Sequence, residues 1–262
     1  MDAVPAISTH NLDTGYKSKG KEAKISINVN ETLWSGELTC LLGRNGSGKS
    51  TILKTLSAFI PPLSGEVRIL GKSLSDYSPL ELAKLIGVVL TDRISLTNLT
   101  VRELVATGRS PYTGYWGTLS SSDREIVDSA MSMVRIEGLA DRRIATLSDG
   151  ERQKAMIAKA LAQETPVIFL DEPTAFLDYP SKVETLLLLR DLAKSQAKTI
   201  FLSTHDIEVA LQIADKLWLM DKQKGIVTGT PPELARSGDI GRFFSTEGVK
   251  FDPDTMRFKV EN

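Results

Sequence analysis

Residues 43–50, Gly-Arg-Asn-Gly-Ser-Gly-Lys-Ser, place two glycines, a lysine and a hydroxyl in the spacing G-x-x-x-x-G-K-[ST], with a third glycine between them. That spacing suits the grip of a polyphosphate. Gly43, Gly46 and Gly48 let successive backbone amides curl round an anion without Cβ clashes, and Asn45 and Ser47 contribute to the same loop. The helix that opens at Lys49 adds the partial positive charge of its N-terminus. Lys49 is expected to bridge the β- and γ-phosphates, Ser50 to offer its hydroxyl to Mg²⁺, and Thr51 to reach the α-phosphate.

A second centre lies far downstream. Residues 167–172, Val-Ile-Phe-Leu-Asp-Glu, are an apolar run ending in two acids. Acids that end a strand are often merely solvated. Behind a phosphate-binding loop they gain a chemical role. Asp171 is expected to hold Mg²⁺, usually through water, and Glu172 to polarise the attacking water as a base not bound to metal.

These residues need elements to hold them. An apolar strand over 37–42 feeds the glycine-rich turn, and a helix over 49–58 follows it, ended by Pro61-Pro62. Short alternating pieces at 24–30 and 66–70 read as antiparallel strands. Four helix starts in the next stretch carry a hydroxyl followed three places on by Glu: Ser78/Glu81, Thr100/Glu103, Ser122/Glu125 and Ser148/Glu151. This is the capping-box pattern, which satisfies orphan amides reciprocally. A short strand at 87–90 interrupts the helices. Buried-type strands follow at 167–170 and 199–202, joined by a helix over 180–194, with further strands at 217–220 and 225–228 and a helix starting at Thr230. The expected organisation is an α/β core (1–77 and 164–245), a helical insert over about 78–163, and a short extension, 246–262, containing a hairpin.

Composition narrows the function classes. The chain has 262 residues, 41% hydrophobic, with 32 Lys and Arg against 33 Asp and Glu. Near-neutrality speaks against a nucleic-acid surface, because no cationic excess is ready to replace condensed counterions. A single cysteine, Cys40, allows neither an internal disulfide nor a cysteine metal cluster and fits a reducing compartment. No basic-then-apolar leader and no apolar run near the ~20 residues of a membrane span are present, so a membrane role is expected to come through a partner.

At residues 147–153, Leu-Ser-Asp-Gly-Glu-Arg-Gln, a helix begins about twenty residues before the acid pair. Here the sequence resembles the ABC ATPase family, whose signature is written LSGGQ, and the resemblance runs from about 16 to about 230. It implies a P-loop NTPase (RecA-like) core with an N-terminal antiparallel β-subdomain and an inserted helical subdomain. It implies ATP and Mg²⁺ as ligands and a head-to-tail homodimer. Ser148, Gly150 and Glu151 of one copy would cover the γ-phosphate bound by the other. By the same resemblance residues 174–178, with Asp178, look like the D-loop that communicates across the dimer. It further implies that His205 is the switch histidine at the γ-phosphate and that Tyr16 stacks on adenine. Catalysis would fall to Glu172, His205 and Lys49.

Two positions depart from the family. Thr91 stands where a glutamine usually contacts the metal and the attacking water, and Thr is two bonds shorter. Asp149 replaces the second glycine of the signature, putting a carboxylate either near the expected phosphate or outward along the helix dipole.

Residues 102–112, Arg-Glu-Leu-Val-Ala-Thr-Gly-Arg-Ser-Pro-Tyr, followed by Gly114 and Trp116, resemble the importer branch that takes up iron-siderophores, haem and cobalamin. That implies an ATPase peripheral to the cytoplasmic face of the inner or plasma membrane, bound to integral permease subunits and indirectly served by a substrate-binding protein. Tyr112, Tyr115 and Trp116 are expected to form part of the surface that docks the permease. The alternatives are a soluble single-cassette ABC ATPase of iron–sulphur assembly, and a P-loop kinase or pure binding module outside the family.

Overall fold

The computed structural model describes residues 4–18, 21–90, 98–114 and 116–260, so Thr91 and Tyr115 lie outside the described residues. The chain opens with the antiparallel pair β1 (Pro5–Ser18) and β2 (Lys21–Val29), followed by β3 (Thr32–Trp34). Next come β4 (Leu38–Gly43) and α1 (Lys49–Leu56), then β5 (Ser64–Ile69) and β6 (Lys72–Ser73). The helix-rich stretch contains α2 (Pro79–Leu85), β7 (Ile86–Val89), α3 (Val101–Ala106), α4 (Ser121–Met133) and α5 (Asp149–Ala162). After it run β8 (Val167–Asp171), α6 (Tyr179–Gln196), β9 (Thr199–Thr204), α7 (Ile207–Ile213), β10 (Lys216–Asp221) and β11 (Gly225–Gly229). Two short helices, α8 (Pro231–Arg236) and α9 (Asp239–Phe244), lead to the hairpin β12 (Val249–Asp252) and β13 (Arg257–Val260).

Two sheets form the body. The first is antiparallel, in the order β2-β1-β5-β6 with β3 also on β1. The second has the order β11-β10-β4-β9-β8-β7 and is parallel except for its edge strand β11. Its inner strands are apolar on both faces, and the two-residue period divides them between two cores. On β8, Val167 and Phe169 join Ile7, Leu12 and Val67 of the first sheet, while Ile168 and Leu170 join Leu186 and Leu189 of α6. Phe169, Phe201 and Trp218 stack edge-on with centroids 5.8 and 5.1 Å apart. Full burial of each such ring contributes ~2–3 kcal/mol. Cys40 is enclosed in β4, where burial pushes its thiol well above the usual range.

Three of the four expected capping boxes form as read, at Ser78, Thr100 and Ser148, and Thr230 adds another. The fourth is displaced: α4 is capped by Ser120 with Asp123, not by Ser122 with Glu125. The buried guanidinium of Arg109 donates to Asp123 Oδ1 at 2.9 Å, which locks Asp123 at the third position of the helix. Ser120 bonds and the Arg109 contact hold its carboxyl down at about 2. α1 ends at Leu56, two residues short of the expected end, because Ala58 takes the left-handed conformation, φ 64°, at which a helix stops. β1 was not legible at all: register shifts beside Leu12 and Thr14 break its alternation. No helix among the described residues is long and apolar enough to cross a membrane.

Candidate nucleotide site

Parallel strands deliver their C-terminal ends to one edge of the sheet, the usual place for a ligand crevice in an open α/β sheet. Here β9 lies between β4 and β8, with Leu42 opposite Thr204 and Asp171 opposite Ser203. The loop after β4, the acids ending β8 and the residues after β9 therefore meet.

The loop has the form of an anion cradle. Gly48 caps α1 with φ 110°, and an added Cβ would overlap Ile25 Cγ2 and lie 2.9 Å from Met220 Cε. Only glycine fits there. α1 has neither a side-chain cap nor an acid in its first turn, and Ser47 Oγ is buried without a hydrogen-bond partner. Orphan amides and a buried orphan hydroxyl are the complement of phosphate oxygens. The Lys49 side chain, 6% exposed, donates to the Gly43 carbonyl at 3.0 Å and lies 3.3 Å from Glu172 Oε1.

Around that lysine the acids are arranged in order. Ser50 Oγ donates to Asp171 Oδ1 at 3.3 Å. Glu172 Oε2 lies 3.5 Å from His205 Nδ1. Glu172 itself has φ 47°, a left-handed conformation costing of order 1–3 kcal/mol for a residue with a side chain. Among the described residues no cluster of three or more His, Cys, Asp or Glu could hold a metal alone. A cation beside Asp171 and Ser50 would thus need substrate oxygens, which is the habit of Mg²⁺.

The structure brings together Lys49, Ser50, Asp171, Glu172 and His205. Tyr16 joins through its hydroxyl, 3.2 Å from Thr51 Oγ1, with its ring half-exposed. It does not bring in Ser148, Gly150 or Glu151: among the described residues no hydrogen bond or ion pair links them to the phosphate loop. Glu151 instead accepts from the Ser148 amide and hydroxyl, bonds that hold its carboxyl below the usual range. A Cβ on Gly150 would sit 4.0 Å from Leu177 and from Ser181 of the same chain. Asp178 caps α6 by accepting from the Ser181 amide at 3.0 Å. Asp149 faces along its helix toward Arg152, 3.4 Å away.

Some contacts had no announcement in the sequence. Ser203 Oγ lies 2.6 Å from Asp171 Oδ1, and the Glu172 amide donates to it at 2.9 Å. Asp206 accepts from Thr174 at 3.1 Å and from Lys182 at 2.9 Å, tying the 174–178 stretch to the residue after His205. The one available signal for Ser203 was a hydroxyl interrupting a buried apolar strand. Tyr112, expected on a docking surface, is 38% exposed, with its ring 4.1 Å from the Arg109 guanidinium and its hydroxyl donating to the Gln163 carbonyl at 3.0 Å. Trp116 is 88% exposed.

The ABC transporter family profile matches residues 27–175. An uncharacterized ABC transporter ATP-binding protein of Methanocaldococcus jannaschii is 40% identical over 98% of this chain and 87% of its own length. The ferric enterobactin transport ATP-binding protein FepC of Escherichia coli is 35% identical over 96% of this chain and 91% of its own. Among solved structures, a dimeric bacterial ABC transporter cassette, MJ0796, superposes with a TM-score of 0.74 at 29% identity, covering 86% of this chain and 98% of that one. Phosphate loop, strand-end acids and two-sheet cassette architecture are those of an ATP-hydrolysing cassette. This chain belongs to the ABC transporter family, as an ATP-binding subunit.

Proposed function

We propose that this chain powers import of an iron chelate (siderophore), haem or cobalamin through a membrane permease, sitting peripherally on the cytoplasmic face of the inner or plasma membrane. The observation that carries the site is a single carboxylate, Glu172, facing both the phosphate-loop lysine at 3.3 Å and His205 at 3.5 Å. In this reading Lys49 exchanges Glu172 for the β- and γ-phosphates when ATP enters, which frees the carboxylate to polarise water. His205 holds the γ-phosphate, and Tyr16 stacks on adenine. Gly43, Asn45, Gly46, Ser47, Gly48 and Thr51 line the phosphates. Ser50 and Asp171, whose side chains meet at 3.3 Å, would hold Mg²⁺, which would supply charge neutralisation on the phosphates. Thr91, outside the described residues, is assigned to that metal by the family resemblance alone.

Ser148, Gly150, Glu151 and Asp178 are assigned to the neighbouring site of a head-to-tail homodimer by the family resemblance, supported by the dimeric form of the MJ0796 cassette. ATP would then close the dimer, and hydrolysis would release it. The core is taken as 1–77 and 164–245, the insert as 78–163 and the extension as 246–262.

The substrate class rests on likeness to FepC, with coverage above nine-tenths of both chains; this favours the importer over the iron–sulphur assembly alternative. The test is purification from membranes with the partners retained, followed by vesicle uptake of ferric siderophore, haem and cobalamin with ATP. Co-purification of a many-helix permease and ATP-dependent uptake of one of the three is expected. Recovery with iron–sulphur scaffold proteins and no permease would transfer the chain to the alternative.

A further inference from the structure

We propose that Ser203 is a positioning residue for hydrolysis, its one hydroxyl setting the orientation of both Asp171 and Glu172. The inference rests on the proposed hydrolytic site and deepens it. Ser203 is fully buried near the end of β9, beside Asp171 in the parallel ladder. A carboxylate can only accept a hydrogen bond and an amide can only donate one, so the hydroxyl's orientation is forced. Its proton goes to Asp171 Oδ1 at 2.6 Å, and its lone pair takes the Glu172 N–H at 2.9 Å.

The first bond is charge-assisted and shorter than the 3.3 Å bond from Ser50 to the same oxygen, so Ser203 holds Asp171 Oδ1 more firmly than Ser50 does. The second bond acts on a strained residue. Glu172 has φ 47°, and its amide donates both to Ser203 Oγ and, at 3.1 Å, to the Ser203 carbonyl. Ser203 thus clamps the turn that aims the Glu172 side chain at Lys49 and His205. An apolar residue would suit the buried strand equally well but would leave Oδ1 without its short donor. The carbonyl would still satisfy the Glu172 amide, so the fold should survive the loss while the geometry of the acids loosens.

The experiment compares the full chain with S203A, S203T and E172Q. Readouts are steady-state ATP hydrolysis, equilibrium binding of a fluorescent ATP analogue across a Mg²⁺ titration, and the Tm without nucleotide. For S203A the expected results are a turnover about tenfold lower and a several-fold higher Mg²⁺ requirement for nucleotide binding, with KM for ATP at saturating Mg²⁺ within about twofold. S203T keeps the hydroxyl and should recover both quantities. Wild-type turnover and Mg²⁺ response in S203A would overturn the proposal. So would equal impairment of S203A and S203T with a lowered Tm, which would mark a packing role. E172Q separates the two levels: its loss of turnover upholds the site whatever Ser203 does, whereas wild-type turnover in E172Q removes the site reading and this proposal with it.

Discussion

Replacing Glu172 by Gln removes one negative charge and almost no volume, which makes it the sharpest probe of the site. The carboxylate faces Lys49 Nζ at 3.3 Å and His205 Nδ1 at 3.5 Å. At an effective dielectric of about 20 the lysine pair alone has about 5 kcal/mol of gross attraction, much of it offset by desolvating a nearly buried ammonium. The Gln amide oxygen still accepts from Lys49, so the net loss without nucleotide should be on the order of 1 kcal/mol, or about 2–4 °C in Tm. ATP supplies the missing anion, so Mg-ATP should raise the variant's Tm by more than it raises that of the wild type. Turnover should fall by about 10²–10⁴, the usual contribution of a positioned base. Phosphate release measures the rate, thermal unfolding with and without Mg-ATP measures the two stabilities, and gel filtration detects an ATP-trapped dimer. Turnover within about tenfold of wild type would refute Glu172 as the base.

Lys49→Ala should weaken ATP binding by roughly 10- to 100-fold, the worth of its charge-assisted bonds, as read by calorimetric titration. Phe169→Ala opens a cavity between Phe201 and the first sheet and should cost about 3–5 kcal/mol in urea unfolding, with ATP affinity unchanged in the remaining folded protein. Asp123 has its pKa lowered from 3.8 to about 2, so its stabilising effect is complete above about pH 4 and is lost as pH falls through about 2. Asp123→Asn should therefore flatten the urea midpoint across that window, and an unchanged acid profile would refute the assignment. Trp116→Ala should reduce co-purification of the permease while leaving ATP binding intact; full recovery of the complex would exclude that surface.

The legible parts of this protein are those whose partners are neighbours along the chain. The phosphate loop is eight consecutive residues whose own amides make the cradle, and three of the four capping boxes close within a single helical turn. The acid pair announced itself by ending an apolar run. β1 did not, because bulges at Leu12 and Thr14 destroy the alternation by which a strand is read. The cap of α4 was misplaced because Ser120, Ser121 and Ser122 are locally equivalent, and the choice falls to Arg109, which arrives from the 3-10 turn Thr107–Arg109 after α3 to hold Asp123.

The constellation around Glu172 belongs to the second kind. β4, β8 and β9 follow one another along the chain but lie as β4-β9-β8 in the sheet. That exchange sets Ser203 beside Asp171, thirty-two residues away, and His205 within reach of Glu172. Which strand intervenes is decided by packing two apolar faces at once, one against the antiparallel sheet and one against the helices. No stretch of sequence contains that geometry, because the strands acquire their neighbours only when both faces are covered.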